Sequence, residues 1–370
     1  MEYRQLGKSG LRVSKLCLGT MVGFTEKNYD EAKRVVDEAI DLGVNFIDTA
    51  DCYGESETVL GKILSENGKR EKVVLATKFG WYMGEGANDY GSGRKHIIEA
   101  CEDSLRKLKT DWIDLYIIHV MDPNAPMEET LYALDTLVRD GKVRYIGTSK
   151  HPATVILEGL FISEKYGWAR FISEQPPYNI LDRSVENELI PMCVKHGIGL
   201  TPFFPIASGL LSGKYRLGQQ VEEGRHARRK LDADGIYTTK ALQAVEKLIP
   251  LAERRGVTLA EFSLAWLMQQ PAVVSPILGA RKVEYIRSGV KACDIKLTEE
   301  ELEEVDKIVP PGTYVSSYYE DNIWRPARMF YSSKAREIKG TGAYIPDTKT
   351  DSSRWAGFPD ELRKRWGKKI

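Results

Sequence analysis

The sequence predicts an α/β protein whose strands close into a (β/α)8 barrel. Two observations carry this. Eight short apolar runs rich in β-branched residues recur along the chain, and helical patterns lie between them. A doubly wound open sheet, the competing arrangement, should carry a G-x-G-x-x-G turn after an early strand, and the chain has none. Length agrees, because α/β barrels reach 370 residues as one folding unit.

The runs, in order, are KLCLG (15–19), VNFID (44–48), VVLATKF (73–79), DLYIIHV (114–120), VRYIGTS (143–149), RFISEQ (170–175), GIGLTPF (197–203) and VVSPILG (273–279). Between them, NYDEAKRVVDEAIDLG sets Ala32, Val35, Val36, Ala39 and Ile40 on one helical face and stops at Gly43, a C-terminal cap. RKHIIEACEDSLRKLK, PMEETLYALDTLVRDGK and NELIPMCVKHG repeat the pattern. The barrel is expected over residues 1–309. Residues 80–93, glycine-rich and aromatic, follow the third run on the side where barrel active sites form, which suits a substrate loop. Residues 310–370 form a C-terminal extension with Trp324, Trp355 and Trp366. Such aromatic surface is expected to pack on the barrel, cover the site or join another subunit, giving a homo-oligomer through the tail.

Lys+Arg and Asp+Glu balance at 53 each, which offers nothing to nucleic acid or an anionic membrane. No run reaches the length of a membrane span, and the N-terminus lacks the apolar core of a signal peptide. Five scattered cysteines without CxxC, and five histidines without HExxH, fit neither a disulfide framework nor a structural metal. A reduced, cytoplasmic protein without a metal is expected.

Barrel active sites form where strands end. Asp48 ends the second run, with Asp51 and Tyr53 just beyond; Lys78 ends the third and His119 the fourth. A lysine ending an apolar strand is costly unless paired, and Asp48 is the expected partner. A cationic lysine beside a phenol favours the phenolate, which would make Tyr53 a usable general acid. His119 would orient or polarise a carbonyl oxygen. Asp51 is expected to face solvent or cap the next helix, and Cys52 is given no chemistry. Such a set can protonate a carbonyl oxygen but has no electron source, so a bound cofactor is expected. Ser149 and Gln175 suit a carboxamide, and Phe203 a flat ring. The segment PIASGLLSGKY (205–215), with Lys214, suits phosphates, as do Arg281 and Lys282 near a helix start.

With these residues assembled, the chain resembles the aldo-keto reductase superfamily, in the branch of the bacterial aldo/keto reductases and the potassium-channel β subunits. YRQLGKSGLRVSKLCLGTM, FIDTADCYGESETVLGKIL, GTSK, EQPPYNILDRSVENELIPMC and PIASGLLSGKY carry the likeness, to about residue 308. The resemblance implies a TIM barrel capped by an N-terminal β-hairpin, with the tetrad on Asp48, Tyr53, Lys78 and His119. It implies a nicotinamide cofactor and no metal, with hydride passing to a carbonyl carbon as Tyr53 gives the proton. Cofactor contacts would fall on Gly19, Thr20, Met21, Ser149, Lys150, Gln175, Phe203, Pro205, Ala207, Lys214, Arg225, Gly279 and Arg281. The substrate pocket would be built from Met21, Phe24, Trp81 and Tyr82.

Several positions depart from the family pattern. Lys150 stands where many relatives have asparagine and some arginine. Phe203 replaces a tyrosine or tryptophan, and Phe204 a phosphate-binding serine. Tyr285, Ser288 and Gly289 occupy places near the adenine, where Tyr285 would stack instead of the usual polar contacts. Arg281 and Lys282 favour a 2′-phosphate, so NADP(H) is preferred, with NAD(H) open. The expected activity interconverts a small-molecule carbonyl (aldehyde, ketone or sugar-like) and its alcohol. A non-catalytic, nucleotide-sensing subunit of the channel-β kind is the alternative, against which the complete tetrad counts. A Schiff-base enzyme using Lys78 is a more distant one.

Overall fold

The computed structural model describes residues 1–66, 68–219, 231 and 236–316. By its internal contacts the chain divides into two compact units, one of Met1–Pro176, Glu188–Phe203 and Met268–Ile295, the other of Pro177–Asn187, Phe204–Leu267 and Lys296–Ile370.

The first unit opens on an antiparallel hairpin, β1 (Tyr3–Gln5) and β2 (Arg12–Ser14). Parallel strands and helices then alternate: β3 (Cys17–Gly19), α1 (Tyr29–Asp41), β4 (Phe46–Asp48), α2 (Ser56–Glu66), β5 (Val74–Phe79), α3 (Arg94–Leu108), β6 (Ile113–Ile118), α4 (Met127–Arg139), β7 (Val143–Ser149), α5 (Ala153–Tyr166), β8 (Phe171–Gln175), α6 (Leu189–His196) and β9 (Gly199–Leu200). After α7 (Thr239–Arg254) and α8 (Leu259–Met268) come β10 (Ile277–Gly279), α9 (Val283–Ala292) and α10 (Glu299–Ile308). The eight-stranded sheet has the order β10-β3-β4-β5-β6-β7-β8-β9. Its two ends meet, because Leu200 bridges Val273 in parallel and the Ile277 N–H donates to Pro202 O at 2.8 Å. This is the closed α/β barrel that the eight apolar runs predict.

All eight runs become strands, and the last two lose more than half of their lengths. GIGLTPF contributes only Gly199–Leu200 and VVSPILG only Ile277–Gly279. Pro202 and Pro276 have no N–H to give a ladder, so regular pairing breaks at each. The segment around Pro276 divides its work, with Val273 bridging Leu200 on one side and β10 pairing with β3 on the other.

Strand alternation explains both the core and the site. Phe46, Val74, Ala76, Leu115 and Ile117 belong to one buried cluster with Leu6 and Val13 of the hairpin segment. Two residues further along β4, β5 and β6 come Asp48, Lys78 and, one step past the strand, His119. The polar set therefore continues the register of the apolar core. Each wholly covered aliphatic side chain contributes roughly 1.5–3 kcal/mol, so the apolar layer can carry charged groups at its end. At Gly7 the φ is +55°, and a Cβ there would lie 2.1 Å from Ile172 O; the hairpin closes on the barrel only because that residue is glycine. On α1, Ala32, Val35, Val36 and Ala39 are buried as the periodicity requires, while Ile40 is half-buried at the stripe's edge.

The second unit centres on Arg183. Its guanidinium pairs with Glu186, donates to Asp306 at 2.6 Å and to Val309 O at 2.7 Å, and lies 5.1 Å over the Trp266 ring. Helix α10 begins with a complete capping box between Thr298 and Glu301. The first residues of the C-terminal extension pair here: Thr313 O accepts from Arg183 N, and the N–H groups of Val315 and Ser316 donate to Leu181 O. Residues 317–370, including Trp324, Trp355 and Trp366, lie outside the described residues, as does Arg225. Among the described residues no helix is long and apolar enough to cross a membrane.

Candidate active site

At the C-terminal ends of β4, β5 and β6, within the first unit, the sheet ladder runs on past the strands. Thr49 N donates to Ala76 O, Asp51 N to Lys78 O and His119 N to Phe79 O. A hydroxyl cluster fixes the turn that follows: Ser56 Oγ donates to Thr20 Oγ1 at 2.6 Å and lies 3.0 Å from Thr49 Oγ1, while Thr20 Oγ1 donates to Asp48 O. The loop carrying Tyr53 is thus bonded to its neighbours before any ligand is considered.

Lys78 is wholly buried, and its three ammonium protons meet three acceptors. They are Asp48 Oδ1 at 2.5 Å, Thr49 O at 2.7 Å and Tyr53 Oη at 3.4 Å. The other oxygen of Asp48 accepts from Gln175 Nε2 at 2.9 Å. Both ionic partners are nearly inaccessible, so their desolvation is offset by the pair and the hydrogen bonds around it. His119 stands edge-on to Tyr53, with ring centroids 5.7 Å apart, and edge-on to Trp81 at 5.9 Å. Burial, and then the charges of Lys150 and Lys78, push the His119 pKa well below its usual value, so the ring is neutral. The four predicted tetrad residues are therefore brought together. Tyr53 and Trp81 are half-buried, and the other three tetrad members are covered.

Asp51 departs from the sequence expectation. It does not face solvent or cap a helix; it is buried at 4 % exposure, and neither carboxylate oxygen has a hydrogen-bond partner of good geometry. Burial, reinforced by nearby Glu57, raises its pKa well above the usual aspartate value. The loop after β4 turns inward because its N–H must continue the sheet ladder to Lys78 O. Cys52, given no chemistry from sequence, also has a contact: its Sγ is 3.5 Å from His119 Nδ1. That contact occupies one ring nitrogen and leaves Nε2 as the one for other partners. The donor atoms of Asp51, Cys52 and His119 lie within 4.8 Å of one another, a grouping that scattered sequence positions could not signal.

The loop 80–93 is ordered by its own bonds. Tyr82 stacks on Tyr90 at 4.2 Å, Met83 N donates to Asp89 O, and Gly91 N returns to Gly80 O. Trp81 and Tyr82 are half-buried, and Phe24 is 3 % exposed. Met21 is half-buried beside Thr20.

The residues suited to a nicotinamide dinucleotide can be tested for fit. Ser149 and Gln175 end β7 and β8 as paired neighbours, with Ser149 Oγ donating to Gln175 O at 2.9 Å. Gly279 ends β10 with open space where a Cβ would stand. Arg281 and Lys282 are exposed just before α9, whose N-terminal cap is made by no side chain. Two exposed cations thus adjoin a helix N-terminus there. In the second unit, Phe204, Ala207, Ser208 and Gly209 all have positive φ, a backbone that residues with a Cβ adopt only when held; Ala207 N donates to Phe204 O and Gly209 N to Ile206 O. Tyr285 is 45 % exposed, and Lys214 rests 4.8 Å over the Tyr215 ring. The hydroxyl of Ser149, the amide of Gln175 and the cations Arg281 and Lys282, all in the first unit, are donors of the kinds a nicotinamide dinucleotide needs.

The site is thus a buried Lys–Asp pair, a tyrosine and a neutral histidine at the strand ends of an α/β barrel. A family model described as the aldo/keto reductase family matches residues 15–310, and the chain belongs to that family. It is 37 % identical over 318 residues to a probable voltage-gated potassium channel subunit beta of Arabidopsis thaliana, covering 84 % of this chain and 97 % of that protein. It is also 37 % identical over 324 residues to an uncharacterized oxidoreductase, YrpG, of Bacillus subtilis, with 84 % and 97 % covered. A putative channel subunit beta of Schizosaccharomyces pombe is 38 % identical over 325 residues, with 84 % and 93 % covered.

Proposed function

We propose that the protein is an NAD(P)H-dependent carbonyl reductase, reversible toward alcohol oxidation, in which Tyr53 is the general acid and base. The observation behind this is the position of the Lys78 ammonium, 2.5 Å from Asp48 and 3.4 Å from the Tyr53 hydroxyl. A cation held beside a phenol stabilises the phenolate left once the proton has gone. Asp48 and Thr49 O keep Lys78 fixed, and Gln175 keeps Asp48 fixed. Neutral His119 offers Nε2 to a carbonyl oxygen placed between it and Tyr53, which orients that oxygen without adding a competing charge. Trp81 and Tyr82 wall the opening. When bound, a nicotinamide dinucleotide supplies the hydride. Within the first unit, Gly19, Thr20, Met21, Ser149, Lys150, Gln175, Phe203, Gly279, Arg281, Lys282 and Tyr285 are the residues proposed to hold it. The exposed Arg281 and Lys282 favour NADP(H) over NAD(H).

Replacing Tyr53→Phe is expected to lower kcat by at least a thousandfold with cofactor affinity kept within about threefold, since the ring stays and only the acid leaves. Steady-state rates on aldehydes with NADPH and NADH side by side, together with cofactor titration, check both parts. Unchanged turnover would refute the assignment. The names of the plant and yeast relatives favour a second reading, a nucleotide-sensing subunit. That reading expects bound cofactor without turnover on any carbonyl or alcohol, so robust aldehyde reduction removes it.

A further inference from the structure

Cys52 is a buried thiol beside the tetrad that the reaction, as derived, does not use. It is 2 % exposed, and its Sγ lies 3.5 Å from His119 Nδ1. Among the described residues this is the one hydrogen-bond contact of the thiol. The ring it touches is held from other directions as well. His119 N donates to Phe79 O at 2.8 Å, and Tyr53 and Trp81 stand edge-on to the ring, with centroids 5.7 and 5.9 Å away. Burial keeps the imidazole neutral, helped by the charges of Lys150, which lies 5.1 Å over the Trp81 ring, and of Lys78. A neutral imidazole carries one N–H, on Nδ1 or on Nε2, and the partner of one nitrogen decides which.

The contact with Cys52 can be made in two ways. If Nδ1–H donates to the sulfur, Nε2 is a bare lone pair and has no proton to offer a carbonyl oxygen. If the thiol donates to Nδ1, the ring proton sits on Nε2 and is available. Two observations favour the second arrangement. Burial raises the Cys52 pKa well above the ordinary thiol value, so the sulfur keeps its proton. That proton has Nδ1 as its acceptor, and an imidazole nitrogen accepts better than a thiol sulfur; the first arrangement would leave the S–H without a partner among the described residues. We infer that Cys52 is a positioning residue, whose thiol donates to Nδ1 and so fixes His119 in the Nε2–H form that donates to the substrate's carbonyl oxygen. The inference rests on the carbonyl-reductase reading for its effect on rate, whereas the place of the ring proton is independent of that reading. A side chain that only filled space would need volume; this one needs a donor.

Two spectra of the full chain read the proton without turnover. With heavy-nitrogen histidine incorporated, the proton–nitrogen correlations of the His119 ring, assigned by their loss in His119→Phe, are expected to show the Nε2–H form alone. In the infrared, the S–H stretch of Cys52 is isolated as the difference between wild type and Cys52→Ala. It is expected at lower frequency than a free thiol and should return to the free position in His119→Phe. Aldehyde reduction with NADPH supplies the kinetic arm. Cys52→Ala is expected to lower kcat by roughly fivefold with KM for NADPH unchanged, and to give a mixture of the two ring forms. Cys52→Ser keeps a donor in a smaller volume and should recover most of both. A packing role alone would put serine no nearer to wild type than alanine. An Nδ1–H ring in the wild type, an S–H stretch at the free position, or an alanine variant with wild-type kcat would overturn the inference. Failure to reduce any aldehyde would count against the reductase reading and leave the two spectra to decide this one.

Discussion

At the scale of single residues, the site is a set of groups whose charge states are set by burial and by one another. His119 is neutral and the Asp51 pKa is raised, both chiefly through desolvation. Lys150 is lowered to about 7, first by burial and then by the Lys78 charge, against the opposing pull of Cys52 and Glu174. Glu174 is itself pushed up to about 7, chiefly by burial. His151, packed beside them, falls to about 4 and stays neutral there.

At the scale of elements, helices pack where small residues permit it. Gly61 lies inside α2, and a Cβ there would stand 2.4 Å from Lys107 O and 2.6 Å from the backbone of Leu108 at the end of α3. Alanine would gain up to about 1 kcal/mol of helix propensity, but the facing atoms are backbone and cannot rotate away. Gly61→Ala is expected to lower stability by roughly 1–3 kcal/mol net, measured as a fall in the denaturant midpoint at unchanged slope. The helices and strands were legible in the sequence because their signals are periodic: a stripe of Val35, Val36 and Ala39, or alternation along VVLATKF. The tetrad was legible because its polar residues interrupt such runs, and a charge ending an apolar strand needs a reason. Asp51 was not legible, since no local pattern separates a loop acid turned to water from one drawn inward by a ladder bond to Lys78. The partners of Cys52 and Lys150 were hidden for a related reason. Contacts to His119 and Trp81 are set by how neighbouring strands sit side by side, which spacing along one chain does not record. The shortened strands at Pro202 and Pro276 could have been read directly, because proline forbids the bond that would lengthen them.

At the scale of the whole molecule, the barrel is sealed by residues far apart in the chain. Cys17 pairs with Ile277, and Leu200 bridges Val273, while Arg4 reaches Met268 O and Val273 O from the first strand of the hairpin. The seam has a consequence for the order of events in folding. Strands β3 to β8 are neighbours in sequence and can pair as they emerge, but β3 keeps an open edge until residues near 277 exist. Bringing such distant strands together costs loop-closure entropy before the contact returns anything, so closure follows the pairing of the sequential strands and comes after the rate-limiting step. Weakening the seam alone, for example by Ile277→Ala, is expected to change the unfolding rate more than the folding rate, as for contacts formed after the rate-limiting step. Stopped-flow measurement of both arms would check it. A nascent chain that has not yet reached this segment presents an unpaired strand edge, the surface on which misassociation with a second chain begins.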